Sequence, residues 1–296
     1  MQILIPCHRA KKTGAAANLG RVELLLPSPL VEIADERLGG VRLLLKRDDL
    51  IHPELPGNKW RKLKYNLEAA ASQGHDTLLT FGGAYSNHIR ATAAAGHRFG
   101  FGTVGVIRGE EHLPLNPVLA FAVSRGMRLE YVSRTAYRDK PVPPGRFYVL
   151  PEGGSNALAV RGCAELAAEI TEPYDVLCCP VGTGGTLAGL ALGLRAGARA
   201  MGFSVLKGGG FLRDEVARLQ REHGGESSAW AVRTEFHFGG YARRTPELDA
   251  FVADFAARHG VRLDPVYTGK MLCGLYTMVR RGCFPPGTRI VAVITG

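Results

Sequence analysis

The stretch Asp175-Val176-Leu177-Cys178-Cys179-Pro180-Val181-Gly182-Thr183-Gly184-Gly185-Thr186 decides the fold. An apolar β-type run, Asp175–Pro180, ends in a glycine-rich turn, and a helical pattern over Thr186–Arg195 follows at once. The same alternation continues along most of the 296 residues. Further β-rich runs are Val41–Lys46, Thr77–Phe81, Thr103–Arg108, Leu129–Ser133, Phe147–Leu150, Gly202–Leu206 and Arg289–Ile294. Helical patterns cover Asn58–Gln73, Asn87–Phe99, Asn116–Arg125, Asn156–Ile170, Leu212–Arg221, Pro246–His259 and Thr268–Arg281. Strand, crossover helix, parallel strand is the signature of an α/β protein. In open sheets of that kind ligands bind beyond the carboxyl ends of the strands, so the turns after the strands are where chemistry is expected.

Three of those turns open helices. Gly182 to Thr186 is the strongest phosphate cradle, because small residues let successive N–H groups face one anion and the next helix adds its dipole. No Gly-Lys-Ser/Thr follows, and Leu187 stands where a dinucleotide fingerprint needs its third glycine. The cradle therefore suits a single phosphate. Ser86-Asn87-His88 starts a second helix and offers a carboxylate-sized anion site, although Ser86 and Asn87 are also ordinary capping residues. The Gly-x-Ser-x-Gly elbow is absent around Ser86, and no His or Cys lies at metal-ligand spacing from His88. The third turn is Leu150-Pro151-Glu152-Gly153-Gly154-Ser155-Asn156.

A reactive amine is the other ingredient. In Gly57-Asn58-Lys59-Trp60-Arg61-Lys62 the chain breaks at Pro56-Gly57, and Trp60, Leu63, Leu67 and Ala71 then recur at helical spacing. Lys59 thus lies on a first turn, where the positive dipole end disfavours its ammonium. By itself a first-turn lysine is ordinarily a solvated surface residue. Lysine, phosphate cradle and carboxylate site together are the set that pyridoxal phosphate carrying an amino acid requires. The residues alone do not choose the lysine, since Lys207, before Gly208-Gly209-Gly210, and Lys270 are rivals.

Composition narrows the classes. Hydrophobic residues are 46% and charged ones 22%, the balance of a globular protein able to bury a core. The net charge of +10 favours anionic ligands, but the basic residues are scattered without nucleic-acid motifs. The six cysteines include no CxxC pair, which fits a reducing compartment and no metal. No apolar stretch is long enough to cross a membrane. The first twenty residues carry Arg9, Lys11 and Lys12 without an acid, yet their apolar run precedes the charges, the reverse of a secretory signal. A cytoplasmic protein with a soluble N-terminal extension is expected.

From about Leu26 onward the chain resembles the D-cysteine desulfhydrase and 1-aminocyclopropane-1-carboxylate deaminase family of tryptophan-synthase-β-type pyridoxal phosphate enzymes. The resemblance rests on Lys46-Arg47-Asp48-Asp49, Gly57-Asn58-Lys59 with Arg61-Lys62-Leu63, Ser86-Asn87-His88, Gly182-Thr183-Gly184-Gly185-Thr186, Asp264-Pro265-Val266-Tyr267-Thr268-Gly269-Lys270 and Ile294-Thr295-Gly296. It implies the type II fold of pyridoxal phosphate enzymes, with two open twisted sheets flanked by helices. A small domain over 51–154 would carry the lysine and the carboxylate loop, and 1–50 with 155–296 would form a large domain carrying the cup.

The resemblance also implies roles. Lys59 would bind the cofactor as a Schiff base, Asn87 would lie beside its 3′ oxygen, and Ser86 with Asn87 and His88 would meet the substrate carboxylate. Gly182, Thr183, Gly184, Gly185 and Thr186 would hold the phosphate, and Tyr241 and Tyr267 would line the substrate pocket. Thr295 would face the pyridine nitrogen, where deaminases use a glutamate. A hydroxyl makes the ring a milder electron sink, which suits β-elimination from D-cysteine, giving pyruvate, ammonia and sulfide, better than cyclopropane opening. Cyclopropane-carboxylate deamination is the runner-up, and a non-catalytic binder of the cofactor the distant alternative. Family members continue beyond this point with a segment that walls the cofactor, so a chain ending at Gly296 would leave the pyridine side open. A homodimer is the assembly the resemblance suggests.

Overall fold

The computed structural model describes residues 23–296. Cys7 and the expected N-terminal extension lie outside the described residues. Ten strands and eight α-helices alternate through the described chain. The first sheet has six strands in the order β1-β2-β10-β7-β8-β9: β1 (Leu30–Ile33), β2 (Arg42–Lys46), β7 (Val176–Val181), β8 (Arg199–Ser204), β9 (Trp230–Arg233) and β10 (Arg289–Val293). All pairs are parallel except the hairpin of β1 with β2. The second sheet is wholly parallel, in the order β5-β4-β3-β6: β3 (Thr77–Gly83), β4 (Gly102–Arg108), β5 (Met127–Val132) and β6 (Tyr148–Leu150).

The first sheet is buried on both faces, and its period-2 geometry divides each central strand between two cores. Leu43, Leu45, Val176, Cys178, Ile290 and Ala292 face one core, while Leu44, Leu177, Cys179, Val291 and Val293 face the other. This is why the central strands read as unbroken apolar runs. The two strands that the sequence pattern does not announce, β1 and β9, lie at the edges of this sheet. Edge strands are half exposed, so their hydrophobic signal is diluted. Elsewhere the observed boundaries differ by a few residues from the expected ones, most in β8, which starts at Arg199 rather than Gly202.

Helix α1 (Gly57–Ser72) connects the sheets. Its apolar side, Trp60, Leu63, Leu67 and Ala70, enters the core of the second sheet, where Trp60 stacks on Phe99 at 5.9 Å. Ala70, rather than Ala71, is the fully buried alanine of that stripe. The opposite side is buried too, against α4 (Ala157–Ala168), whose Gly162 lets the Arg61 carbonyl approach so closely that a Cβ would lie 1.9 Å from its oxygen. The Arg61 guanidinium is buried and donates to Asp48 at 2.6 and 2.8 Å and to Glu169 at 2.8 and 2.9 Å. Lys46 joins the same network through Glu169 at 2.9 Å and the Ser28 carbonyl at 2.6 Å. Buried charges survive only when paired in this way. The network locks α1 against the first sheet and thereby sets where Lys59 stands.

Candidate active site

Four strand ends from the two sheets converge on the start of α1. Strand β7 leads into Gly182, β10 into Thr295, β3 into the turn before Ser86, and β6 into Glu152 to Ser155. Thr295 is buried, and its carbonyl presses on Gly57, where a Cβ would lie 1.9 Å from the oxygen. Gly57 also has φ +54°, a conformation that glycine adopts without penalty. The closing strand of the first sheet thus abuts the turn that carries Lys59.

Lys59 is the third residue of α1, and among the described residues no hydrogen bond or ion pair engages its ammonium. Dense surroundings and, secondarily, the Lys62 charge push its pKa down to about 7. The residue is nevertheless only partly buried. The rivals differ. Lys207 is exposed at the surface, and the wholly buried Lys270 spends its ammonium on two backbone carbonyls.

The cup begins where β7 ends. The backbone N–H groups of Thr183, Gly184, Gly185 and Thr186 donate to nothing else among the described residues, and they head α5 (Gly185–Leu192). Beneath them lies Lys62, buried, donating to Ser155 Oγ at 2.9 Å and the Gly153 carbonyl at 3.1 Å. A Cβ on Gly185 would be 3.2 Å from the Lys62 ammonium. Ser155 Oγ lies 2.7 Å from Thr183 Oγ1, and Asn58 donates to Thr186 Oγ1 at 3.0 Å. Orphan amides, a helix N-terminus and a buried cation without a carboxylate partner form a site of net positive potential for a phosphate dianion. Lys62 and Ser155 have no assigned role in the sequence reading. The available signal is the i, i+3 spacing of Lys59 and Lys62, which puts both on one helix face.

The carboxylate loop faces the same floor. Ser86 is the N-cap of α2 (Asn87–Phe99), its Oγ accepting from the Ile89 amide at 3.3 Å. Asn87 is half-buried, and no hydrogen bond engages its side chain among the described residues. His88 turns inward. Its ring is buried against Gly154, where a Cβ would fall 2.7 Å from Cε1, and neither ring nitrogen has a partner. Burial first, then the Lys59 and Lys62 charges, hold it far below the usual imidazole range, so it is neutral. Two orphaned nitrogens in a buried position are polar atoms that a bound group can satisfy.

Tyr267 lies over the cup, its ring in contact distance of Gly182, and Tyr241 meets it edge to face at 6.1 Å. Tyr267 is held well above the usual phenol range by burial and by Tyr241, and it is therefore a protonated donor. Tyr241 is more open, 40% exposed, as befits the mouth of a cleft. Contacts thus tie the Lys59 turn to Thr295, Lys62 to the cup through Ser155, His88 to the Gly154 turn, and Tyr267 to Gly182 and Tyr241. Pyridoxal phosphate fits this residue set: free amine, orphan amides with a buried cation, and a second anion-binding helix start. Among the described residues no cluster of His, Cys, Asp or Glu could hold a metal ion, and no helix is long and apolar enough to cross a membrane.

The family model described as pyridoxal-phosphate dependent enzyme matches residues 23–296. A bifunctional D-cysteine desulfhydrase/1-aminocyclopropane-1-carboxylate deaminase of Arabidopsis thaliana is 34% identical over 87% of this chain and 72% of its own. A D-cysteine desulfhydrase of Klebsiella pneumoniae is 30% identical over 93% of both chains. The crystal structure of an ACC deaminase homologue superposes with a TM-score of 0.78 at 28% identity, covering 91% of this chain and 89% of that one. A fungal L-serine ammonia-lyase from Rhizomucor miehei shares the fold at 16% identity, with a TM-score of 0.67 over 91% and 93% of the chains. With the family match spanning every described residue, the chain belongs to the pyridoxal-phosphate dependent enzymes.

Proposed function

We propose that this enzyme is a lyase that eliminates thiol from D-cysteine or a related small amino acid, giving pyruvate, ammonia and sulfide with the uptake of one water. One observation carries the reading: Lys59 is an unpartnered amine pushed down to about 7, between a phosphate cup and a carboxylate-sized helix start. Lys59 would hold the cofactor's aldehyde carbon, while the amides of Thr183 to Thr186 and the Lys62 ammonium would hold its phosphate. Bound pyridoxal phosphate supplies an electron sink for charge developing at the substrate α-carbon.

The chain's own groups do the rest. Ser86 and the first amides of α2 bind the substrate carboxylate and so orient the α-C–H bond. Asn87 would lie beside the cofactor's 3′ oxygen, and His88 stays a neutral, buried ring. Lys59 Nζ, displaced from the cofactor carbon by the substrate amine and about half unprotonated at pH 7, would take the α-proton as the β-thiolate departs. Tyr267 and Tyr241 line the leaving-group side, where a phenol O–H can donate to a departing sulfur. The four-stranded sheet would belong to a small domain within 51–154 and the six-stranded sheet to a large one, and their approach would exclude water.

Thr295 favours elimination over ring opening, because a hydroxyl holds no proton on a pyridine nitrogen. The bifunctional plant relative supports 1-aminocyclopropane-1-carboxylate deamination as the second reading. We place the enzyme in the cytoplasm as a homodimer acting on a small amino acid, without nucleic acid or membrane. The test is the visible spectrum of the cofactor-loaded protein on adding D-cysteine, with pyruvate assayed in parallel. A perturbed band with pyruvate release from the wild type and none from Lys59→Ala is expected. No pyruvate from D-cysteine, with 2-oxobutyrate forming from 1-aminocyclopropane-1-carboxylate, would instead select the second reading.

A further inference from the structure

Lys270 is the third residue of α8 (Thr268–Arg280) and is wholly buried. Its ammonium donates to the His237 carbonyl at 2.9 Å and the Gly240 carbonyl at 2.7 Å, and no carboxylate pairs with it among the described residues. Neutral carbonyls compensate a buried ammonium less well than a carboxylate does, so burying a lysine here is costly unless the bonds hold something in place. What they hold is the turn before Tyr241.

That turn is strained. Phe238 has φ +49°, Gly240 +114° and Ala242 +55°, and two of the three non-glycine residues with positive φ among the described residues flank Tyr241. Such backbone persists only where surrounding contacts over-determine it. The turn's own bonds, Gly240 N to His237 O at 3.0 Å and Arg243 N to Gly240 O at 3.1 Å, use the same two carbonyls that Lys270 grips. The other end of the device is equally fixed. The Asp264 carboxylate accepts from the amides of Tyr267 at 2.6 Å and Thr268 at 2.9 Å, pinning the start of α8. One helix start thus carries Tyr267 and, three residues on, the ammonium that fastens the segment of Tyr241.

We propose that Lys270 is a positioning residue that holds Tyr241 edge to face against Tyr267 on the substrate side of the cleft. The inference rests on the reading that these tyrosines line the substrate pocket. It makes the substrate-side wall one unit, so that loosening the turn displaces a side chain rather than unfolding the site.

The test is a double-mutant cycle on the cofactor-loaded enzyme with D-cysteine, using Lys270→Met, Tyr241→Phe and both together. Lys270→Met should lower kcat/KM about tenfold, as expected when hydrogen bonds from a charged donor are removed. The cofactor absorption band should be unchanged, and amide exchange in the segment 237–243 should accelerate. Added to Tyr241→Phe, it should cost little more, because Lys270 acts by placing the Tyr241 hydroxyl that phenylalanine lacks. Lys270→Gln, which keeps one donor, should fall between wild type and Lys270→Met and serves if the methionine variant does not fold. Fully additive losses, or unchanged exchange in that segment, would overturn the inference. Wild-type kinetics in Tyr241→Phe alone would instead overturn the tyrosine reading beneath it.

Discussion

Stripped of cofactor, the protein should present Lys59 as a side-chain amine that reacts as a free base near neutral pH. Burial, and after it the Lys62 ammonium, push Lys59 from 10.5 down to about 7. At pH 8 a group with that value is about 90% unprotonated, whereas an ordinary lysine is under about 1% unprotonated. The reactive fraction of Lys59 therefore exceeds that of a solvated lysine by on the order of a hundredfold. Competitive labelling with trace acetic anhydride across a pH series reads it, with peptides quantified by mass and a free lysine peptide as standard. The Lys59 profile should turn over near 7, and Lys62→Met should move it upward by removing a like charge. The same shift enters stability. Between about 7 and 10.5 the unfolded chain binds a proton at this residue that the native chain does not, so its contribution makes stability rise with pH across that window and fall as pH drops toward 7. A Lys59 profile that tracks the standard peptide would refute the reasoning.

Two further outcomes follow from the geometry. Lys62→Met should weaken pyridoxal phosphate binding by about 10- to 100-fold, the range for losing a charge-assisted hydrogen bond, and an unchanged affinity in an absorbance titration would remove Lys62 from the cup. Gly57→Ala places a Cβ 1.9 Å from the Thr295 carbonyl oxygen at φ +54°, so it should cost about 2–3 kcal/mol in denaturant unfolding. An unaltered midpoint would mean that Gly57 and Thr295 are not tightly packed.

Much of this protein is local enough to read along the chain. The βα turn at Gly182 to Thr186, the helix start at Ser86 and the first-turn position of Lys59 each depend on a few consecutive residues, and the structure has all three in those settings. The parallel α/β architecture is legible for the same reason, since buried parallel strands announce themselves by composition. The edge strands β1 and β9 do not, because half their surface faces solvent.

Tertiary structure decided which of these local features make a site. Spacing and residue type leave Lys59, Lys207 and Lys270 as rival amines, which only the family resemblance ranks, and packing separates them physically: one unpartnered and desolvated, one at the surface, one bonded to carbonyls. Helix α1 is buried on two sides, so Arg61 pairs with Asp48 and Glu169 and Lys62 donates to Ser155 instead of facing solvent. His88 becomes a neutral interior ring only because Gly154, from a distant turn, closes over it. Desolvation and through-space charge come from atoms that the fold brings together, and spacing along a chain carries no record of them.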